Sequence, residues 1–355
     1  MREITAQNAA EYLRETGRAS AAEPLEVREL AGGVSNVVLY VRQGESAFVL
    51  KQARPQLRVA QPWFCPVERN WRELAVLRVC ETLLSKGSKI TTPCAADEIA
   101  ARTPAVLWED RDNYVFAMQA APTDHVVWKQ QLLANGAESK SLPNNLRIAA
   151  ACGKLLAELH AASWQDELLC EQLGDVSLFE ALRIDPYYRT VAAANASLRQ
   201  PLEQLIESLP QNRLSLVHAD FSPKNLLVYE RSGRTELMMV DFETGHFGDP
   251  AFDLGFFLSH LTLKALWSAP SSASFRKLAD AFWATYFAAR GDLDAQAQAL
   301  LARRAMLHLG ACVVARVDGK SPVEYLVDPA SRDAARAFGS DLLLRPKSDW
   351  NEVVL

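Results

Sequence analysis

Two apolar runs that each break at an aspartate constrain this chain more than any other feature. "LVHADFSPKNLLVYE" covers residues 216–230 and "MMVDFETGHFGDP" covers 238–250. Both runs read as buried strands, yet the first stops at His218, Asp220 and Asn225, and the second at Asp241 and Glu243. Polar and ionised groups at buried strand ends are costly unless they find partners. A fold that accepts both segments has to gather these ends at one polar site.

The surrounding texture changes once along the chain. After an amphipathic opening helix, "LEVREL", "NVVLYV" and "SAFVLKQA" read as three short neighbouring strands, separated by "AGGVS" and "RQGE". "PVERNWRELAVLRVCETLL" follows with helical spacing, and "TPAVLWE" and "YVFAMQAAP" flank the turn "DRDN" as a hairpin. Beyond Ala120 long amphipathic helices dominate, such as "NNLRIAAACGKLLAELHAAS" and "AQALLARRAMLHLGACVVAR". They are interrupted by the strand-like "RLSLVHAD" and "LMMVDFE". The pattern predicts an α+β, bilobal body: a small antiparallel-sheet lobe with one helix, then a mainly helical lobe.

Phosphoryl transfer is the chemistry that needs these residue types in this order. It requires a carboxylate to accept the proton of the attacking hydroxyl, and oxygen donors to hold magnesium against the nucleotide phosphates. Asp220 suits the first task. Asn225 lies five positions on, the interval between Asp and Asn in protein-kinase catalytic loops. Asp241, at the end of the next apolar run, takes the place of the metal-binding Asp of the kinase D-F-G element. Glu243 adds a carboxylate on the same side of an extended backbone.

The first half offers a matching phosphate-binding set. Gly32 and Gly33 permit close backbone approach and positive φ, and Ser35 and Asn36 bring hydrogen-bond donors. Lys51 follows at the end of "AFVLKQA" as a cation for the phosphates. It needs an anionic partner, and "ERNWRELAVL" provides Glu68 and Glu73; Glu73 is favoured because it lies deeper in the helix, Glu68 being explicable as a first-turn carboxylate. Asp249 and Pro250 suit a helix start. His160, in "LLAELHAAS", reads as a packing residue rather than a catalyst.

With these residues assembled, the chain resembles the aminoglycoside phosphotransferase and choline kinase-like superfamily, small-molecule kinases with a protein-kinase-like fold. The resemblance runs from "GGVSNVVLYV" to "RVDGKSPVEY" and is most specific in "HADFSPKNLLV" and "VDFETGHFGDPAFDLGFFL". It implies a nucleotide-binding lobe over 1–118, a hinge at 119–122 and a catalytic and substrate-binding lobe over 123–355. It also implies ATP and Mg2+ as cofactors, Asp220 as base, Asn225 and Asp241 as metal ligands, and Lys51 on the phosphates. Met118, Gln119, Ala120 and Ala121 would contact the adenine, and Asp253 would brace the catalytic loop. "VLKQARPQLRVAQPWFCPVERNWRE" and "LRIDPYYR" are similar to methylthioribose kinase, but Ala219 and Asn225 depart from its H-G-D-x-H-x-G-S loop.

Composition narrows the partners. With 38 Lys+Arg against 43 Asp+Glu in 355 residues, no overall field attracts nucleic acid or an anionic membrane. The greasiest stretch, "AFDLGFFLSHLTLKALW", carries Asp253, His260 and Lys264 and reads as a buried helix. The six scattered cysteines form no C-x-x-C pair, as expected of a cytoplasmic protein with reduced thiols. The substrate is expected to be a small hydroxylated molecule, such as methylthioribose or an amino alcohol, with Arg316 and Asp318 meeting it at the cleft rim. No acidic run suggests an aminoglycoside site, which stands as the alternative together with a non-catalytic pseudokinase. Oligomeric state is left open, a homodimer included.

Overall fold

Period-two alternation builds the first sheet and sets the direction of its functional lysine. In the computed structural model, which describes residues 1–30, 36–58, 64–85, 99–135 and 140–355, helix α1 (Ala9–Glu15) precedes β1 (Glu26–Glu29), β2 (Asn36–Gln43) and β3 (Ser46–Ala53). Helix α2 (Arg69–Ser85), β4 (Ala100–Arg102), β5 (Val106–Asp110) and β6 (Val115–Gln119) follow. The main sheet has the antiparallel order β1-β2-β3-β6-β5. Val37, Leu39, Val41, Leu50, Val115 and Ala117 face Tyr12 and Leu13 of α1. Val49, Phe116 and Met118 pack on the other face with Leu74 and Leu77 of α2. Lys51 shares the α2 face with Val49 because side chains two apart lie on one side of a strand.

The large lobe opens with β7 (Val126–Val127), α3 (Trp128–Asn135), α4 (Leu142–Ala162), α5 (Glu167–Leu173) and α6 (Ser177–Phe179). A π-helical turn, Glu180–Arg189, leads to α7 (Thr190–Ala194) and α8 (Ala196–Ser208). Then come β8 (Ser215–Val217), β9 (Leu226–Arg231), β10 (Arg234–Met239) and β11 (His246–Gly248). The chain ends in α9 (Pro250–Trp267), α10 (Ser272–Ala289), α11 (Ala295–Asp318) and α12 (Pro329–Leu344). The α+β bilobal division expected from sequence is present, with one departure. Strand β4 leaves the small lobe and pairs in parallel with β10, in the sheet β4-β10-β9-β7.

Helix α9, the greasy stretch, is buried almost from end to end and forms the middle of the large lobe. No helix among the described residues is long and apolar enough to cross a membrane. Close helix contacts rest on glycine. A Cβ on Gly153 of α4 would stand 2.3 Å from the Phe282 carbonyl oxygen of α10. Gly153→Ala is therefore expected to lower stability by about 1–3 kcal/mol, the usual cost of overpacking. Urea unfolding measures it, and an unchanged midpoint would mean that the two helices separate freely.

Candidate active site

Lys51 joins the two lobes. Its Nζ donates to Glu73 Oε1 of α2 at 2.7 Å and to Asp241 Oδ1, just past β10, at 2.6 Å. Burial disfavours the ammonium, but Asp241 and Glu73 outweigh it and hold Lys51 well above its ordinary value. Of the two glutamates in α2's approach, Glu73 is thus the partner; Glu68 accepts from the Tyr114 hydroxyl instead. Asn36, at the start of β2, donates from Nδ2 to Glu243 Oε2 at 3.0 Å, and Arg69 Nε lies 3.4 Å from the same oxygen.

The loop that carries Asp220 is held in a strained shape from both sides. After β8 the backbone turns through Ala219 at φ +58°, a left-handed conformation that a residue with a Cβ adopts reluctantly. Asp253 of α9, fully buried, accepts the backbone N–H groups of His218 and Ala219 at 2.7 Å each. The Ala219 carbonyl accepts from Arg183 Nε at 2.8 Å. His160 backs Asp253 from 3.4 Å while its Nδ1 meets the Tyr286 hydroxyl at 2.9 Å. His218 Nδ1 accepts from the Asp220 N–H at 3.2 Å, so its Nε2 carries the proton and donates to the Val240 carbonyl at 3.2 Å. Burial pushes this imidazole down, which keeps it neutral.

Asp220 emerges ringed by donors. Arg183 Nη2 reaches Oδ1 at 2.7 Å, Lys224 Nζ reaches Oδ2 at 2.7 Å, and Asn225 Nδ2 donates to Oδ2 at 2.8 Å. Burial works against the carboxylate, but Arg183 and Lys224 overcome it and hold Asp220 below the ordinary aspartate value. It stays ionised and accepts hydrogen bonds. The hairpin of β9 and β10, with Leu226 opposite Met239, returns Asp241 to the same place. Val240 donates its N–H to the Asn225 carbonyl at 3.0 Å, which sets the two polar strand ends side by side. Burial opposes the charge on Asp241 as well, and Lys51 followed by Lys224 keeps it well below the usual range.

Lys51, Glu73, Asn36, Asp220, Asn225, Asp241 and Glu243 are therefore all drawn to the cleft. Gly32, Gly33 and Ser35 lie outside the described residues. Met118 is buried at the end of β6, Gln119 is exposed and gives its N–H to the Ala105 carbonyl, and Ala120 follows as the chain leaves the sheet. Two expectations change. Asp241 has φ +74°, so the backbone there is not extended and period-two geometry fails; Glu243 gives its Oε2 to the small lobe's Asn36 and Arg69 instead. Asp318 does not join Arg316. It pairs with Arg336 of α12 at 2.9 Å, because residues two apart on a helix point to different sides. Sequence reasoning missed Arg183, carried by the π-helical turn, and Lys224, which sits inside the quoted motif.

An ionised Asp beside a neutral Asn, facing an interlobe Lys–Glu–Asp bridge, defines a kinase-type phosphotransferase cleft. The chain belongs to the phosphotransferase enzyme family, whose match covers residues 26–300, and its members transfer phosphate to hydroxyl groups. It is 26% identical over 267 residues to the 4-hydroxytryptamine kinase of Psilocybe cyanescens, covering 68% of this chain and 69% of the relative. It is 26% identical over 309 residues to a methylthioribose kinase of Cronobacter sakazakii, covering 79% and 70%. The fold matches the structure of a microcompartment-associated aminopropanol kinase with a TM-score of 0.56, at 17% identity, over 96% of this chain and 97% of that one.

Proposed function

We propose that this protein is an ATP-dependent, magnesium-using kinase that phosphorylates a hydroxyl of a small molecule. The observation that carries the reading is Lys51, held at 2.7 Å from Glu73 and 2.6 Å from Asp241 across the cleft that also presents the ionised Asp220. Two of its three ammonium hydrogens are engaged there, which leaves a donor for a phosphate oxygen. Asp220, unburdened by a proton, accepts the hydrogen bond of the acceptor hydroxyl and orients it in line. Its lowered pKa suits a loose transition state, in which the hydroxyl needs positioning more than early deprotonation. Arg183 and Lys224, both on Asp220, fix the carboxylate's direction and set positive charge beside the transferring group.

The donor set fits magnesium. Asp241 and Asn225 bring a carboxylate and an amide, hard oxygen donors, and among the described residues no cluster of three or more His, Cys, Asp or Glu forms a full protein cage. Magnesium favours such sparse sites, taking one or two protein oxygens with phosphates and water. Bound there, it would offset charge on the phosphate oxygens. The free thiols Cys65, Cys80, Cys152, Cys170 and Cys312 support a reducing, cytoplasmic setting. The contacts of Lys51 with Asp241 and of Asn225 with Asp220 disfavour a pseudokinase reading.

Asp241→Ala separates metal binding from nucleotide binding. Calorimetry should show at least about a tenfold loss of magnesium-dependent ATP affinity. Magnesium-free affinity should hold or improve, since the change releases Lys51. Equal weakening with and without magnesium would make Asp241 a structural residue and remove the proposed metal site.

A further inference from the structure

We infer that the acceptor of this kinase carries a carboxylate in addition to its hydroxyl, and that Lys264 of α9 and Arg316 of α11 receive it. The inference rests on the kinase reading above and specifies its substrate class. Lys264 is 0% exposed, donates from Nζ to the His260 carbonyl at 3.1 Å and lies 5.2 Å from the Tyr325 ring centroid. Arg316 donates to the Tyr187 hydroxyl at 3.1 Å, to Ser321 Oγ at 2.9 Å and to the Ser321 carbonyl. Among the described residues, neither cation has a carboxylate within ion-pairing distance. Among the described residues the carboxylate that bears on Lys264 is Glu324, which is exposed and paired with Lys129.

Unpartnered polar atoms belong to the same cluster. Among the described residues, His260, which is 4% exposed, has no hydrogen-bond partner at Nε2, and neither Arg316 Nε nor the Tyr325 hydroxyl has one. Lys264, Arg316, Lys224 and Lys129 all bear electrostatically on His260, so the cluster is cationic from several elements. Burial, then repulsion from Lys129 and Arg316, pushes Lys264 down to about 7. A buried cation that lacks a counter-ion is destabilising, and an arriving anion reverses the sign of its environment.

This cationic cluster adjoins the Asp220 site. Arg183, bound to Asp220 at 2.7 Å, and Arg316 each hold their guanidinium carbon 5.9 Å from the Tyr187 ring. The Tyr187 ring is thus shared by the guanidinium that holds Asp220 and by Arg316, and the Asp220 carboxylate bears electrostatically on Arg316. A short molecule with a hydroxyl on Asp220 and a carboxylate a few bonds away spans the two. A polyamine such as an aminoglycoside would meet like charge there.

The test uses matched pairs that differ by the carboxylate: L-homoserine against 3-aminopropanol, 4-hydroxybutyrate against 1,4-butanediol, and D-glycerate against glycerol. Glycerol 2-phosphate tests a more highly charged anion. Turnover is read as ADP release with the phosphorylated product identified, and binding is read independently by calorimetry. In at least one pair the carboxylate member should have at least tenfold higher kcat/KM or affinity. Lys264→Met and Arg316→Gln should each reduce that ratio toward one. Preference for the neutral members, for glycerol 2-phosphate alone, or for neither member of any pair overturns the carboxylate. If magnesium-dependent ATP binding is also absent, the kinase reading fails with it; if ATP binds, only the substrate class falls.

Discussion

Asp220→Asn is expected to reduce kcat by about 10²- to 10⁴-fold, the range attributable to a positioned proton acceptor. The amide keeps the shape of the side chain, and ATP affinity should change by no more than about twofold to threefold, since Lys51 and Asp241 remain in place. The variant also sets Arg183 and Lys224 against a neutral group, and a modest loss of thermal stability should accompany the loss of turnover. Steady-state kinetics with the best acceptor, paired with calorimetric ATP titration, reads both effects. Turnover within tenfold of the original would remove Asp220 from the proton-accepting role.

The second large effect is expected at a residue that touches no substrate. Asp253→Ala takes away the acceptor shared by the His218 and Ala219 N–H groups in a site with 0% exposure. Each orphaned buried donor costs about 1–3 kcal/mol, so unfolding free energy should fall by about 2–6 kcal/mol. The same bonds hold Ala219 at φ +58°, and activity should fall further than the folded fraction explains. Ala219→Gly is informative beside it, because glycine accepts that φ without penalty. Wild-type stability and turnover in Asp253→Ala would show that the loop keeps its shape unaided.

Much of the site was legible because it follows local rules. Strand alternation turned Lys51 toward α2, and depth in the helix selected Glu73. The interval from Asp220 to Asn225 brings the two side chains into contact. What stayed hidden depended on non-local geometry. Arg183 sits in a π-helical segment containing Pro186, where the ordinary α-helical and strand periods do not apply. Lys224 falls between the motif's two functional residues and was indistinguishable from a spacer until its ammonium met Asp220. Glu243 was assigned by extended-chain geometry that the positive φ of Asp241 cancels. Arg316 and Asp318 were grouped by proximity in sequence, although a helix separates them in direction. The crossing of β4 gave no warning, since three residues, "AAR", carry too short a pattern to reveal which sheet they join.

That crossing ties the small lobe to the large one at a second place. A small lobe attached only at one covalent hinge could swing and twist about several axes. Here residues 119–125 form one attachment, and the pairing of Glu236, Leu237 and Met238 with Ala100, Ala101 and Arg102 forms a second. Lys51 and Asp241 therefore meet across lobes that are joined on both sides of the β5–β6 hairpin, by the chain that follows β6 and by the ladder of β4 with β10.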